Sequence, residues 1–245
     1  MTNASTLGTM SPGLLKVVER ARSEPEGRFH SLAHLIDVPA LRRAYDRLRK
    51  GAAVGVDGMT KEEYGQDLEV RLEDLRARLE STRYRHQPIR RVHIPKGQGK
   101  TRPIGISAFE DKLVQGALRE VLEAIDEQDF SDCSCGFRPG RSTHATMRAL
   151  DRSVGWGEVS WILEADIMSF FDSVVRTALV ERLQTRVADR SLLRLIGKCL
   201  HLGVLDGEVL KQHPLPQPRP SSGDSSVWPD ESPRSGRLNG KILRC

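Results

Sequence analysis

Asp166 stands in a short apolar run, Trp161 to Ile167, with Phe170 and Phe171 just beyond. The run reads as a buried strand. A carboxylate at its end is costly unless it is paired or metal-bound. An Asp at a strand end beside a turn is a common Mg²⁺ ligand position. The plainer reading, a cap of the next helix, suits Asp172 better than Asp166. A second group is basic. Arg83, Arg85, Arg90, Arg91, Lys96, Lys100 and Arg102 follow one another with no acid among them. On a β-hairpin with a Gly97-Gln98-Gly99 tip, alternate charges share a face and can grip a phosphate backbone or a triphosphate. The competing reading is a solvated edge strand kept from aggregating by its charges. A third group is Gly136-Phe-Arg-Pro-Gly-Arg-Ser142. Its turn places Arg138 and Arg141 before a helix N-terminus, which is anion-friendly, or is simply a turn capped by Ser142.

Other chemistries find little support. His30 and His34 have helical spacing, but no Glu follows as in H-E-x-x-H, and they read as ordinary histidines, as do His86, His93, His144 and His201. The D-x-D-x-T pattern and the G-x-x-x-x-G-K-[ST] loop are both absent. The four cysteines include no C-x-x-C pair, which points to a reducing, cytoplasmic setting. No run of 18 apolar residues exists, so no membrane helix is expected. Met1 to Leu15 lacks the pattern of a secretory signal. The net charge of +5 and pI near 9.2 make nucleic acid the first candidate partner.

The elements that must position these groups are visible in the periodicity. Leu14 to Ala21 allows a short helix. Leu41, Ala44, Tyr45 and Leu48 share a helical face that Gly51 stops. Thr60 and Glu63 form a capping box ahead of the Leu68, Leu72, Leu75, Leu79 stripe. Residues 89 to 106 alternate as a hairpin. Ser107 and Glu110 read as a second capping box, opening a helix whose face is Leu113, Val114, Ala117, Leu118, Val121 and Leu122. Ser142 caps a helix through Leu150. Leu179 to Leu200 is a helix pair, and Gly203 to Leu210 a small hairpin turning at Asp206-Gly207. Interleaved strands and helices give an α/β (α+β) class.

Composition changes near 210. From Lys211 to Cys245 there are six of the 13 prolines, six serines, three glycines and no sustained apolar period. Such a stretch cannot bury enough surface to order itself. The expected organisation is an ill-defined segment 1–34, a folded region 35–210 and a disordered tail 211–245.

The order of the motifs is more specific than any one of them. Gly51-Ala-Ala-Val-Gly-Val-Asp-Gly-Met-Thr60 precedes Ile94-Pro-Lys-Gly-Gln-Gly-Lys-Thr-Arg-Pro-Ile-Gly-Ile106. Gly136 to Ser142 follows, then Ala165-Asp-Ile-Met-Ser-Phe-Phe-Asp172. Over roughly residues 35 to 210 the series strongly resembles the group II intron-encoded reverse transcriptases of the maturase type. The resemblance implies right-hand polymerase fingers followed by part of a palm. Gly51 to Thr60 looks like an extension preceding the fingers, and the basic hairpin like the fingertips. By that likeness Lys96 or Lys100, with Arg102, meets the triphosphate of an incoming dNTP. Arg138 and Arg141 lie against the template backbone. Asp166 matches the first metal-binding Asp, with the carbonyl of Ile167 as a second Mg²⁺ ligand. Phe171 matches the residue that leaves no room for a ribose 2′-OH. The implied partners are an RNA template or intron RNA, a DNA primer and dNTP.

The same family carries a P-Q-G block and then Y-A-D-D after such a helix pair, and neither occurs in these 245 residues. Of three palm carboxylates only Asp166 is present, so the Mg²⁺ site is incomplete. The expectation is a truncated copy, inactive alone, whose Pro/Ser-rich tail looks frameshifted. A non-catalytic, maturase-like RNA-binding remnant is the alternative. A polymerase of a retron or diversity-generating element is a closer rival, and a metal-dependent phosphotransferase built around Asp166 ranks last. Trp161 to Ile167 is expected to leave an unpaired strand as an association edge.

Overall fold

This computed structural model describes residues 10–97, 99–155, 161–167, 170–207 and 209–211. Two compact units are present. Among the described residues the larger holds 10–129 and 175–211, and the smaller lies within 130–174. The class is mixed α/β, as the interleaved pattern implies.

In the larger unit, α1 (Pro12–Ser23) starts at a proline pre-set for the first helical turn, with the Ser11 hydroxyl accepting from the Leu14 amide. α2 (Val38–Arg47) is capped by Asp37, which accepts from the Ala40 amide at 2.8 Å. α3 (Lys61–Gly65) opens on the Thr60–Glu63 capping box. α4 (Leu68–Glu80) buries Leu72 and Leu75. The hairpin β1 (Ile89–Gly97) and β2 (Lys100–Ile106) leads into the long α5 (Phe109–Asp129). After the smaller unit come α8 (Arg176–Gln184), α9 (Arg190–Leu200) and the hairpin β3 (Val204–Asp206) with β4 (Val209–Lys211). Gly207 takes φ +64° at the turn of this second hairpin, a region that favours glycine.

The core is organised on α5. Its Leu113, Val114, Ala117, Val121, Ala124 and Ile125 are buried against Leu14, Val17, Val18 and Ala21 of α1 and Ala40, Leu41 and Ala44 of α2. Each fully buried Leu or Ile contributes about 1.5–3 kcal/mol. Gly116 sets the approach of α2, since a Cβ there would sit 2.9 Å from that of Ala44. Glu120, buried on α5, binds Arg43 at 2.8 Å and Arg47 at 3.1 Å.

The chain before α2 and the chain around α9 are tied by one carboxylate. Asp189 Oδ2 accepts from the amides of Leu32 (2.6 Å) and Ala33 (2.8 Å). Its Oδ1 accepts from Ser191 (2.8 Å) and Leu192 (3.1 Å) at the start of α9. These amides hold its carboxyl below the ordinary value against the cost of burial. Next to it, Phe29 and Val187 form a parallel bridge, and Arg186 binds Asp129 and the carbonyls of Glu24 and Gly27.

The sheet has the order β2-β1-β3-β4. β1 pairs antiparallel with β2 and parallel with β3, so the small hairpin shores up one side of the basic one.

Two expectations fail. Ser107 and Glu110 make no capping box. The amide of Phe109 is capped instead by Asp57 at 2.7 Å, and the Glu110 carboxylate accepts from Arg78 at 2.7 and 3.0 Å. A guanidinium offering two N–H groups outcompetes a backbone amide for a carboxylate. Trp161 to Ile167, expected as a buried strand, pairs with no strand among the described residues and is exposed, Trp161 to 88%. A strand forms only where a neighbour takes its hydrogen bonds, and apolar content supplies none.

The smaller unit contains α6 (Thr143–Gly155) and the single turn α7 (Phe170–Ser173). Ser142 caps α6 as expected, its hydroxyl accepting from the Ala145 amide at 3.2 Å. None of the residues of α6 is buried. Of the tail 211–245, expected to be disordered, Lys211 ends β4 and the rest lies outside the described residues.

Candidate nucleic-acid interface

The basic hairpin rises from a buried polar root. Asp111, 1% exposed in the first turn of α5, accepts from the Tyr84 hydroxyl at 2.6 Å and from His86 Nδ1 at 2.5 Å through Oδ1. Its Oδ2 accepts from the Gln87 amide at 3.0 Å. Three groups just before β1 are thus pinned to α5. On the far side of the imidazole, Nε2 lies 3.1 Å from the Cys199 Sγ of α9. Burial and the nearby Asp111 push the Cys199 thiol up to about 12, and the same causes raise the Tyr84 hydroxyl. A Cys-His-Asp row has the order of a nucleophilic triad, but a nucleophile needs a lowered thiol pKa, and this one is raised. The row is a structural pin.

Sequence reading passed over this root, treating His86 as an ordinary histidine. The available signal was Asp111 itself, an acid inside the apolar stripe of α5 between Phe109 and Leu113. Asp57 was missed in the same way. It belongs to the glycine loop and caps α5 directly after β2, so this loop fixes the hairpin's other end. Gly55 lets the loop touch α5, because a Cβ there would lie 2.5 Å from both Ala108 Cα and the Ser107 oxygen. Lys112 locks the contact by donating to the Ala53 carbonyl at 2.7 Å.

Cross-strand register sorts the charges. Arg90 pairs with Ile106, Val92 with Ile104 and Ile94 with Arg102, so these share one face, and Lys100 joins them two residues before Arg102. Arg91 and His93 occupy the other face, where both approach Asp206 of β3, at 3.9 and 4.0 Å. The seven basic residues therefore do not act as one patch. Arg83 binds the Ser81 hydroxyl and Arg91 faces an acid. Lys96, Lys100 and Arg102 are exposed and make no ion pair among the described residues. They surround a tip where Gly97 (φ +88°) and Gly99 (φ +70°) turn the chain.

In the smaller unit, Arg138 is occupied by its own loop. Its guanidinium donates to the carbonyls of Ser131 and Ser134 at 2.8 and 2.9 Å and lies over the Phe130 ring. Arg141 reaches Asp132 at 3.5 Å. Asp166 is exposed, as are Ile167 (66%) and Phe171 (86%), whose ring meets that of Phe170 edge-on. No group of three His, Cys, Asp or Glu converges among the described residues. Mg²⁺ takes six near-octahedral ligands, usually anchored by one or two carboxylates. Asp166 with the Ile167 carbonyl falls short of a site that would hold the metal pair of a polymerase. These residues as placed do not fit that group.

A family model described as reverse transcriptase (RNA-dependent DNA polymerase) matches residues 94–221, just over half of the chain. The chain belongs to the reverse transcriptase family. Its relatives put it in the group II intron-encoded branch. Protein YkfC of Escherichia coli is 36% identical over 198 residues, covering 78% of this chain and 52% of its own length. The group II intron-encoded protein LtrA of Lactococcus lactis is 34% identical over 164 residues, covering 66% and 27%. The chain thus spans about half of the first relative and about a quarter of the second. A solved chain from a "Partial Cas6-RT-Cas1--Cas2 complex" aligns with a TM-score of 0.44 at 19% identity, covering 73% of this chain and 29% of that one. Among the described residues no helix is long and apolar enough to cross a membrane.

Proposed function

We propose that the protein is an RNA-directed DNA polymerase of the group II intron type, acting in the cytoplasm, and that this chain supplies its fingers and the first part of its palm. The observation that carries the reading is the basic hairpin. It is a rigidly rooted ribbon with a glycine tip and with three cations, Lys96, Lys100 and Arg102, that have no acidic partner among the described residues. Unpaired exposed cations on a fixed scaffold suit a polyanion, because the scaffold's ordering cost is met before the ligand arrives. In this reading the tip holds the RNA template and the triphosphate of a dNTP paired to it at a DNA primer end. Arg138 and Arg141 follow the template backbone, with Arg138 also bracing its own loop. Phe171 excludes a 2′-OH. A second reading is a maturase-like RNA-binding role without catalysis, which the same hairpin cations would serve.

Equilibrium binding of RNA across a salt series tests the shared element of both readings. Five single-strand phosphate contacts, from Arg85, Arg90, Lys96, Lys100 and Arg102, give a slope of log K against log salt of about −3.5. A slope near zero refutes the hairpin as a nucleic-acid grip. RNA-templated primer extension separates the readings, and the 245 residues alone are expected to show none. Extension that Asp166→Ala abolishes would contradict that expectation.

A further inference from the structure

A cavity of about 310 Å³ lies between the residues preceding α2, the C-terminal end of α4, Thr82 and Tyr84 after it, and one face of α9. It is within the size range of small-ligand pockets. Three permanent cations line it, Arg76, Arg194 and Lys198, against one carboxylate, Glu80, which is already paired with Arg76 at 2.5 Å. The donors are not all used. Arg194 is exposed and has no hydrogen bond or ion pair among the described residues. Lys198 Nζ donates to the carbonyls of Thr82 and Tyr84 at 3.2 and 3.1 Å, which fixes the ammonium and leaves one of its three N–H groups. The remaining wall is apolar, formed by Ile36, Leu79 and Leu195. Unspent cations beside aliphatic side chains in one recess match a phosphate joined to a base.

We propose that this cavity takes one unstacked nucleotide of a single-stranded RNA, its phosphate on Arg194 and Lys198 and its base against Leu79 and Leu195. The proposal rests on the RNA-binding reading above and adds to it a second contact point outside the hairpin. Single-stranded RNA is read by lodging splayed bases in such recesses, whereas helical RNA presents no base to them. The scaffold is pre-set, because Asp189 clamps the segment carrying Ala33 to the start of α9.

The test uses fluorescence anisotropy with a 12-nucleotide single-stranded RNA, and AMP as competitor. The full chain is compared with Arg194→Ala and Ser191→Trp in the cavity, and with Lys100→Ala and Arg102→Ala on the hairpin. Ser191 lines the cavity and is exposed, so Trp there fills the space without changing charge. A single-strand phosphate contact carries a salt slope of about 0.7, which at 0.1 M salt is about fivefold in affinity. Both variants are expected to bind about fivefold more weakly or worse, with Arg194→Ala flattening the slope by about 0.7. Unchanged affinity in both, while Lys100→Ala and Arg102→Ala weaken binding, overturns the cavity and leaves the hairpin reading intact. No RNA binding by the full chain overturns both. Binding of AMP without binding of RNA overturns the assignment to a strand.

Discussion

Asp189 offers the sharpest test of how the larger unit is held together. Its carboxylate accepts four backbone N–H groups, two from the segment before α2 and two from the start of α9, across 157 residues of sequence in the case of Leu32. Asp189→Ala removes all four partners. The amides of Leu32 and Leu192 are in buried bonds, so each is left unsatisfied at a cost of about 1–3 kcal/mol. Those of Ala33 and Ser191 are part-buried and regain water, adding little beyond the usual cap loss of about 1 kcal/mol. The total is about 3–7 kcal/mol. Asp189→Asn keeps one acceptor oxygen but turns an NH₂ toward two amides, so it loses at least half of that. Urea denaturation followed by circular dichroism reads the change as a lower midpoint at constant slope. The pH dependence carries a second signature. The folded pKa is below the ordinary 3.8, so the stabilisation is present above pH 3.8 and is lost as pH falls through the lower folded value. Asp189→Asn flattens that acid limb. A loss under about 1 kcal/mol in Asp189→Ala, or an unchanged acid limb in Asp189→Asn, refutes the four-amide clamp.

Three further outcomes follow from the same geometry. Burial, with Asp129 nearby, raises the Asp126 carboxyl to about 6, so wild-type stability falls as pH rises from about 4 through 6. Asp126→Asn therefore gains about 1–2 kcal/mol at pH 7.5, a figure already discounted for partial exposure, and gains nothing at pH 3.5 in parallel urea titrations. Gly55→Ala drives a methyl into the backbone at Ala108 and costs about 1–3 kcal/mol, read by thermal melting. Cys199, with its thiol pushed up to about 12, escapes alkylation at pH 8 until urea is added, while exposed Cys133 is modified in the native state, as peptide mass spectrometry will show.

The hairpin was legible because alternation is a local signal: Val92, Ile94, Ile104 and Ile106 fall on one face in sequence and in register. The caps at Thr60 and Ser142 were legible for the same reason, each being settled within three residues. What the sequence concealed is long-range competition. Ser107 and Glu110 have the spacing of a capping box, yet Asp57, 52 residues from Phe109, takes the amide and Arg78 takes the carboxylate. The root of the hairpin was hidden because Tyr84 and His86 precede β1 while Asp111 is on α5 and Cys199 on α9, and none matches a motif. Trp161 to Ile167 shows the limit of an apolar run, which says that a segment gains by burial but not that a neighbouring strand is there to receive it. Among the motif residues, Lys96, Lys100 and Arg102 stand together on the hairpin, whereas Arg138 is largely committed to its own loop.

The central claim is that RNA is gripped at the hairpin tip rather than by the general positive charge of the chain. The direct measurement is RNA affinity at 0.1 M salt for two triple variants of equal charge change. One reverses Lys96, Lys100 and Arg102 to Glu. The other reverses Lys16, Arg28 and Lys50, exposed basic residues outside the hairpin, to Glu. Three lost single-strand contacts at about fivefold each predict a loss of at least about a hundredfold for the hairpin variant. Long-range charge alone predicts a small, similar loss in the control. Equal losses in the two variants, or none in the hairpin variant, would contradict the account.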